Sequence, residues 1–146
     1  MSYIDLLAIL LTATMTGTEF TVAALLNPTM QKLDPVTRVR SLSAMARTMG
    51  RVMPFWYALG LVLIAVEAYL RRDSLIETAG VLWLLSIILT VIFLVPINNR
   101  IAKANADRPE PGFHEEHATW DNRHRWRVVL LVVATSLLIA GILRSR

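Results

Sequence analysis

The sequence predicts an all-α fold: an integral-membrane four-helix up-and-down bundle, with an amphipathic extension before the second span, as one domain over residues 1–146. Three observations carry that expectation. The chain is 55% hydrophobic with a mean hydropathy of +0.51, above the ~45–50% apolar content of ordinary soluble domains. The apolar residues gather in four blocks, 4–26, 52–70, 78–97 and 128–143, each 16–23 residues long. A bilayer core about 30 Å thick needs ~20 such residues in helix. The connections are short, so successive spans should run antiparallel.

The first span covers about 4–27 and resembles a signal peptide only in length. Its first basic residue is Lys32 and it carries Glu19, so it is expected to be a retained helix. Asn27-Pro28 lies near its end. Proline removes a backbone donor and disfavours helix in the residue before it, which predicts a kink or break near Asn27 before the helix runs out towards Leu33.

Asp34-Pro35 then reads as a helix start, with aspartate as cap and proline at the first helical position. Val36, Val39, Leu42, Ala46, Met49 and Met53 recur every three or four residues, with arginines on the other faces. This predicts an amphipathic surface helix leading into a second span at about 52–71, with a kink at Pro54. Near its far end Glu67 is expected to snorkel and to meet Arg71 at i+4. After a tight turn at residues 71–74, the third span covers about 77–97 and closes near Pro96. Residues 105–112 form a proline-rich loop, and Trp120 and Trp126 suggest that the fourth span, about 120–143, begins ahead of its apolar block.

The net charge of +4 is placed in a way that points to a membrane rather than to nucleic acid. Lys32, Arg38, Arg40, Arg47, Arg51, Arg100, Lys103, Arg108, Arg123, Arg125 and Arg127 fall on one side of a four-span chain, and Arg71, Arg72, Arg144 and Arg146 on the other. By the positive-inside rule the first side is cytoplasmic and both termini are outside, as in a bacterial inner or plasma membrane. The expected partners are the lipid bilayer and a hydrophobic small-molecule substrate, with self-association left open. There is no cysteine, hence no disulfide and no thiolate metal site.

Glu19 is the residue that raises a question of function. An ionised side chain near mid-membrane costs at least ~2.5 kcal/mol on insertion scales, so something must protonate, pair or hydrate it. Thr12, Thr16, Glu19, Ala23 and Asn27 fall on one narrow helical stripe, which should face the bundle interior. The plain alternative is a packing face with one hydrogen-bonded acid. On the fourth helix His117, Trp120, His124, Arg127 and Leu131 share a face at offsets of three and four. An interfacial belt of tryptophan and arginine explains Trp126, Arg123 and Arg125 well, and the histidine–arginine stripe less well. Residues 114–117 read His-Glu-Glu-His, which matches no zinc motif, and a charged helix start is the simpler account. No glycine loop for phosphates and no nucleophile elbow is present. Asn27, Asn98, His124 and Arg127 belong to the same side, and with Glu19 they could line one pocket with apolar walls.

Pro96-Ile97-Asn98 closing the third span and Trp120-x-x-x-His124-x-x-Arg127 opening the fourth, with Asn27-Pro28 and the overall length, resemble the anthrone-oxygenase-like family of small four-helix membrane proteins. The resemblance extends over nearly the whole chain. It implies an oxygenase that converts an anthrone to an anthraquinone with dioxygen, and it places Asn98, Trp120, His124 and Arg127 among the characteristic residues. On that reading Glu19 or His124 is the base, Arg127 and Asn98 hold the enolate oxygen, and Trp120 is a pocket wall beside Asn27. No cofactor is required by such chemistry, and a transition metal or haem stays open. Two other readings are a small proton-coupled exporter of lipophilic compounds, with Glu19 exchanging protons, and a non-catalytic membrane partner.

Overall fold

Four apolar runs form four helices, and three of them are started by a side chain that satisfies a free N–H group of the first turn. A computed structural model describes residues 2–108 and 110–145. Pro109 of the expected loop and Arg146 of the expected outer face lie outside them. Every element in the described residues is helical. We label the helices α1 (Tyr3–Met30), α2 (Pro35–Arg71), α3 (Ser74–Lys103) and α4 (Phe113–Arg144), all long and apolar enough to cross a membrane. The chain is an all-α, integral-membrane type of bundle.

At α1, Ser2 Oγ accepts from the Asp5 N–H at 3.2 Å while Asp5 Oδ2 accepts from the Ser2 N–H at 2.8 Å, a reciprocal capping box. At α2 the expected cap is present: Asp34 Oδ1 accepts from the Thr37 N–H at 3.0 Å, with Pro35 as the first helical residue. Asp73 caps α3 through Leu75 N–H at 2.8 Å. Helix α4 starts at Phe113, after Gly112 at φ 87°, a left-handed conformation that suits glycine. Its start lies seven residues ahead of the expected 120, so the whole His117–Arg127 stripe is helical.

At two prolines the helix carries on where a break or an end was expected. Helix α1 does not break at Asn27-Pro28 and ends at Met30 rather than running towards Leu33; it widens at Val22–Leu26, where the Asn27 N–H reaches back five residues to Val22 O. The same device recurs in α3, where Val95 N–H bonds Thr90 O across Thr90–Leu94, again two residues before a proline. A proline ring clashes with the carbonyl four residues back, and a wide turn moves that carbonyl aside while keeping the helix. Helix α3 therefore continues past Pro96 to Lys103.

Pro54 does not interrupt α2, which is one helix of 37 residues, about 55 Å long at 1.5 Å per residue. The amphipathic extension is thus continuous with the span and is not a separate helix along the membrane plane. Its Val39, Leu42 and Ala46 bury against Ile97, Ile101 and Phe113. A second apolar cluster fills the other half of the bundle around Met15, Met53, Ile64, Ile76, Trp83, Leu131 and Leu138.

Neighbouring helices are tied by polar bonds that need no water. Thr16 and Thr135 hydroxyls lie 2.9 Å apart between α1 and α4. Trp56 Nε1 donates to Leu11 O at 3.2 Å, and Trp83 Nε1 to Tyr57 O at 3.1 Å. At the end opposite the basic loops Glu67 does not snorkel. It is fully buried, and Arg71 comes to it at 2.8 Å while also bonding Asp5 at 2.6 Å. The expected i,i+4 pairing holds, inside the bundle rather than at its rim.

Candidate functional site

The stripe on α1 turns Glu19 inward, where it is 3% exposed, and each of three other helices brings it or its partner a side chain. From α2, Tyr57 Oη donates to Glu19 Oε1 at 2.9 Å. From α4, Arg127 Nη2 donates to Glu19 Oε2 at 2.5 Å. From α3, Thr90 Oγ1 accepts from Arg127 Nη1 at 3.2 Å and itself donates to Ser86 O at 2.6 Å. The Arg127 guanidinium also lies 5.5 Å over the Tyr57 ring. The acid is therefore paired, and the cost of leaving a bare carboxylate in a medium without water does not arise.

Histidine 124 is one turn from Arg127 and completely buried. Its Nδ1 is 2.8 Å from Arg127 Nη2. A guanidinium has only donors, so Nδ1 must accept and carries no proton. The ring proton sits on Nε2, 3.2 Å from the Glu19 carbonyl oxygen, to which it donates. The 3.5 Å approach of Nδ1 to Glu19 Oε2 is then a contact between two acceptors bridged by the arginine. Both ring nitrogens are engaged in holding Glu19 and Arg127.

Beside this group is a cavity of about 440 Å³ between α2 and α3. Its walls are largely apolar: Leu42, Met45, Met49, Met53, Leu61 and Ile87, among others. Glu19, Tyr57, Thr90 and Arg127 gather at one part of the lining, and Asn98, Asn99, His117 and Trp120 supply the remaining polar groups. Trp120 stacks on His124 with ring centroids 4.6 Å apart and on His117 at 6.2 Å. Arg127 Nε, Trp120 Nε1 and His117 Nδ1 are buried without a partner among the described residues.

Of the residues singled out in the sequence, Glu19, Asn98, Trp120 and Arg127 line the cavity. His124 stands behind Arg127 and is not part of the wall. Asn27 is not part of the wall either. Its Nδ2 donates to Asp121 Oδ1 at 2.5 Å, and Arg125 holds the other carboxylate oxygen at 3.1 Å, so Asn27 pins α1 to α4. Asn98 donates Nδ2 to Ala46 O at 3.2 Å. It can lie that close because position 50 is glycine: a Cβ there would stand 3.2 Å from Asn98 Nδ2.

Tyr57, Thr90 and Asp121 were missed. A signal existed for Tyr57, which shares a three-and-four spacing with Met53, Gly60, Ile64 and Glu67, a face carrying both a phenol and an acid. Thr90 is a lone hydroxyl in an apolar run. Among the described residues no three His, Cys, Asp or Glu side chains gather to hold a metal ion. Glu116, from the acidic–histidine start of α4, pairs with Arg100 at 2.7 Å.

The residues from 41 to 137 match the model of the anthrone oxygenase family. That range contains Tyr57, Thr90, Asn98, Trp120, His124 and Arg127, and leaves out α1 with Glu19 and Asn27. Neither a curated relative nor a solved structure matches the chain. A match over well above half of the sequence, on a four-helix bundle whose buried polar group borders an apolar cavity, places this chain in the anthrone oxygenase family.

Proposed function

We propose that the protein is an integral-membrane oxygenase that oxidises the methylene of a polycyclic aromatic ketone of the anthrone type with dioxygen, with Glu19 as base. The observation that carries this reading is the meeting of a carboxylate, a phenol and a guanidinium at the wall of an apolar cavity. Cavities of about 300–1,000 Å³ with apolar walls and a few convergent polar groups are the usual form of small-molecule sites. The charge distribution supports both termini outside and the basic loops in the cytoplasm.

The methylene of an anthrone is acidic because its conjugate base is a phenolate-like enolate. Glu19 takes one methylene proton, and the negative charge moves to the ketone oxygen. Arg127 is the neighbouring cation: it neutralises the carboxylate before transfer and the enolate after it, so little reorganisation is needed. Its guanidinium lines the cavity and is the group assigned to the enolate oxygen. The electron-rich carbon then passes an electron to dioxygen and the two radicals combine in a C–O bond. The peroxide takes the proton back from Glu19. Glu19 removes the second methylene proton as the O–O bond breaks, giving the new carbonyl, and the expelled hydroxide leaves as water with that proton. Four electrons leave the carbon and four reduce dioxygen, with one oxygen atom in the quinone and one in water. Tyr57 orients the carboxylate, and His124 positions Arg127.

Oxygen consumption by purified protein with anthrone, above the uncatalysed background, tests the assignment. Glu19→Gln should lower the rate by about 10²–10⁴-fold, the usual contribution of a general base. His124→Asn, which keeps an acceptor near the Nδ1 position, should retain most of it. Full activity in Glu19→Gln would remove Glu19 from the chemistry, and a complete loss in His124→Asn with intact folding would return the base role to the imidazole.

A further inference from the structure

The cavity has walls on all four helices but its exposed lining residues lie on only two. Gly50, Pro54 and Ala58 are exposed along one edge of α2, and Val91, Val95 and Asn99 along the facing edge of α3. Residues 50, 54 and 58 are successive turns of the same helix edge, each bearing a small or ring-closed side chain, so α2 is thin where it borders the opening. Along the bundle axis the cavity is bracketed by buried apolar packing. Leu42, Ala46 and Ile101 come from the cluster around Val39 and Phe113 at the basic end, and Met53 and Tyr57 from the cluster around Ile64 and Trp83 towards the other end. Val91, next to the mouth, is 60% exposed, and Phe93 and Ile92 beside it are also exposed. A surface of this kind, midway along an apolar helix, faces hydrocarbon rather than water.

We infer that the site is entered sideways, through a mouth between α2 and α3, by a planar aromatic ketone already dissolved in the bilayer. The inference rests on the proposed function for the identity of the ligand, and on geometry alone for the route. A lateral mouth fits the polarity gradient of the cavity: the apolar body of the ligand passes apolar residues at the rim, and its one polar oxygen travels inward to the tyrosine–arginine group. The residues at the rim, above all Ala58 and Val91, then limit the width of ligand admitted.

The absence of cysteine allows a clean test. Single variants Ala58→Cys and Val91→Cys, each carrying a nitroxide and reconstituted in lipid vesicles, are compared with Leu59→Cys on the outer surface of α2 and Asn105→Cys in the loop. Collision of each nitroxide with dissolved oxygen and with a water-soluble nickel chelate is measured by power saturation. The expected result is that labels at 58 and 91 behave like the label at 59, favouring oxygen by about tenfold or more relative to the label at 105. Equal access of the nickel chelate to positions 58 and 105 would overturn the lateral route. Anthraquinone, the non-reacting product, is then added at saturation. Immobilisation of the labels at 58 and 91 but not at 59 is expected. Lipid-like access with no response to anthraquinone would overturn the choice of ligand, and with it the substrate class proposed above, while leaving the mouth in place. As an independent check, Ala58→Phe should raise KM for anthrone several-fold with little change in kcat, whereas an unchanged KM would remove Ala58 from the rim.

Discussion

Arg127 reaches Glu19 at 2.5 Å inside the bundle, joining residues 108 positions apart in sequence. Both side chains are under 10% exposed. Two charges held this far from water stabilise little as a pair, but either one alone is costly: removing one partner of a buried pair destabilises by about 3–5 kcal/mol, because the other charge is left uncompensated. Arg127→Met is therefore expected to lower the melting temperature in detergent sharply. The double variant Glu19→Gln with Arg127→Met should recover most of that loss, since neither charge then remains. A double variant no more stable than Arg127→Met would show that the two residues are not energetically coupled.

The tautomer of His124 is fixed by the same arginine. With Nδ1 accepting from Arg127 and Nε2–H donating to the Glu19 carbonyl, ¹⁵N NMR of histidine-labelled protein should give His124 one protonated and one unprotonated ring nitrogen, with the proton on Nε2. In Arg127→Met only the Glu19 carbonyl is left to hold the proton on Nε2, so the Nδ1 signal should lose its hydrogen-bond shift and the tautomer preference should weaken. A wild-type proton on Nδ1 would mean that the imidazole addresses Glu19 directly, and the positioning role given to it would fail.

These two residues also mark how far the sequence could be read. The four spans, the Asp34-Pro35 start and the helical stripe from His117 to Leu131 follow from hydropathy, capping and a 3.6-residue period, all of which are local. That Glu19 needs a partner also follows locally, from the cost of a bare carboxylate in hydrocarbon. Which partner it takes does not, because the rotation of α1 against α2 and α4 is set by packing between segments distant in sequence. The spacing of Tyr57 marks an inward face of α2, but only that packing turns its hydroxyl to Glu19. In sequence Arg127 belongs both to the functional stripe and to the basic-side charges, and only the fold separates it from Arg123 and Arg125. The wide turns illustrate a different limit. Pro28 signals a disturbance, but whether a helix breaks, kinks or widens depends on what is packed around it.

Close packing between α2 and α3 supplies another test. Gly60 lies against the indole of Trp83, and a Cβ at position 60 would fall 2.6 Å from Trp83 Cζ2. Trp83 is fully buried, tied by Nε1 to Tyr57 O, and cannot swing away without losing that bond. Overpacking of this kind costs about 1–3 kcal/mol. Gly60→Ala should lower stability by that amount and also disturb Tyr57, so activity should fall with it. Adding Trp83→Leu to make room should give back part of the stability. If Gly60→Ala is neutral, the two helices are less tightly apposed than a 2.6 Å approach requires.

The turn between α2 and α3 offers a pH-dependent contact outside the spans. Arg144 donates Nε and Nη2 to Asp73 Oδ2 at 3.1 and 2.8 Å, tying the end of α4 to the start of α3. The Arg144 bond, followed by the Leu75 N–H, holds the Asp73 carboxyl below its ordinary value. A carboxyl whose folded pKa is lowered stabilises the fold at pH values above its unfolded pKa, about 3.9. That contribution is lost as the pH falls through the folded pKa. Asp73→Asn keeps a competent helix cap but cannot titrate. The melting temperature of wild type should exceed that of Asp73→Asn at pH 7, and the gap should close as the pH is lowered below about 4. Arg144 is more than half exposed, so the gap should be small and should shrink in high salt. A difference that is the same at pH 7 and in strong acid would mean that Asp73 stabilises the turn by its shape and cap alone, without help from its charge.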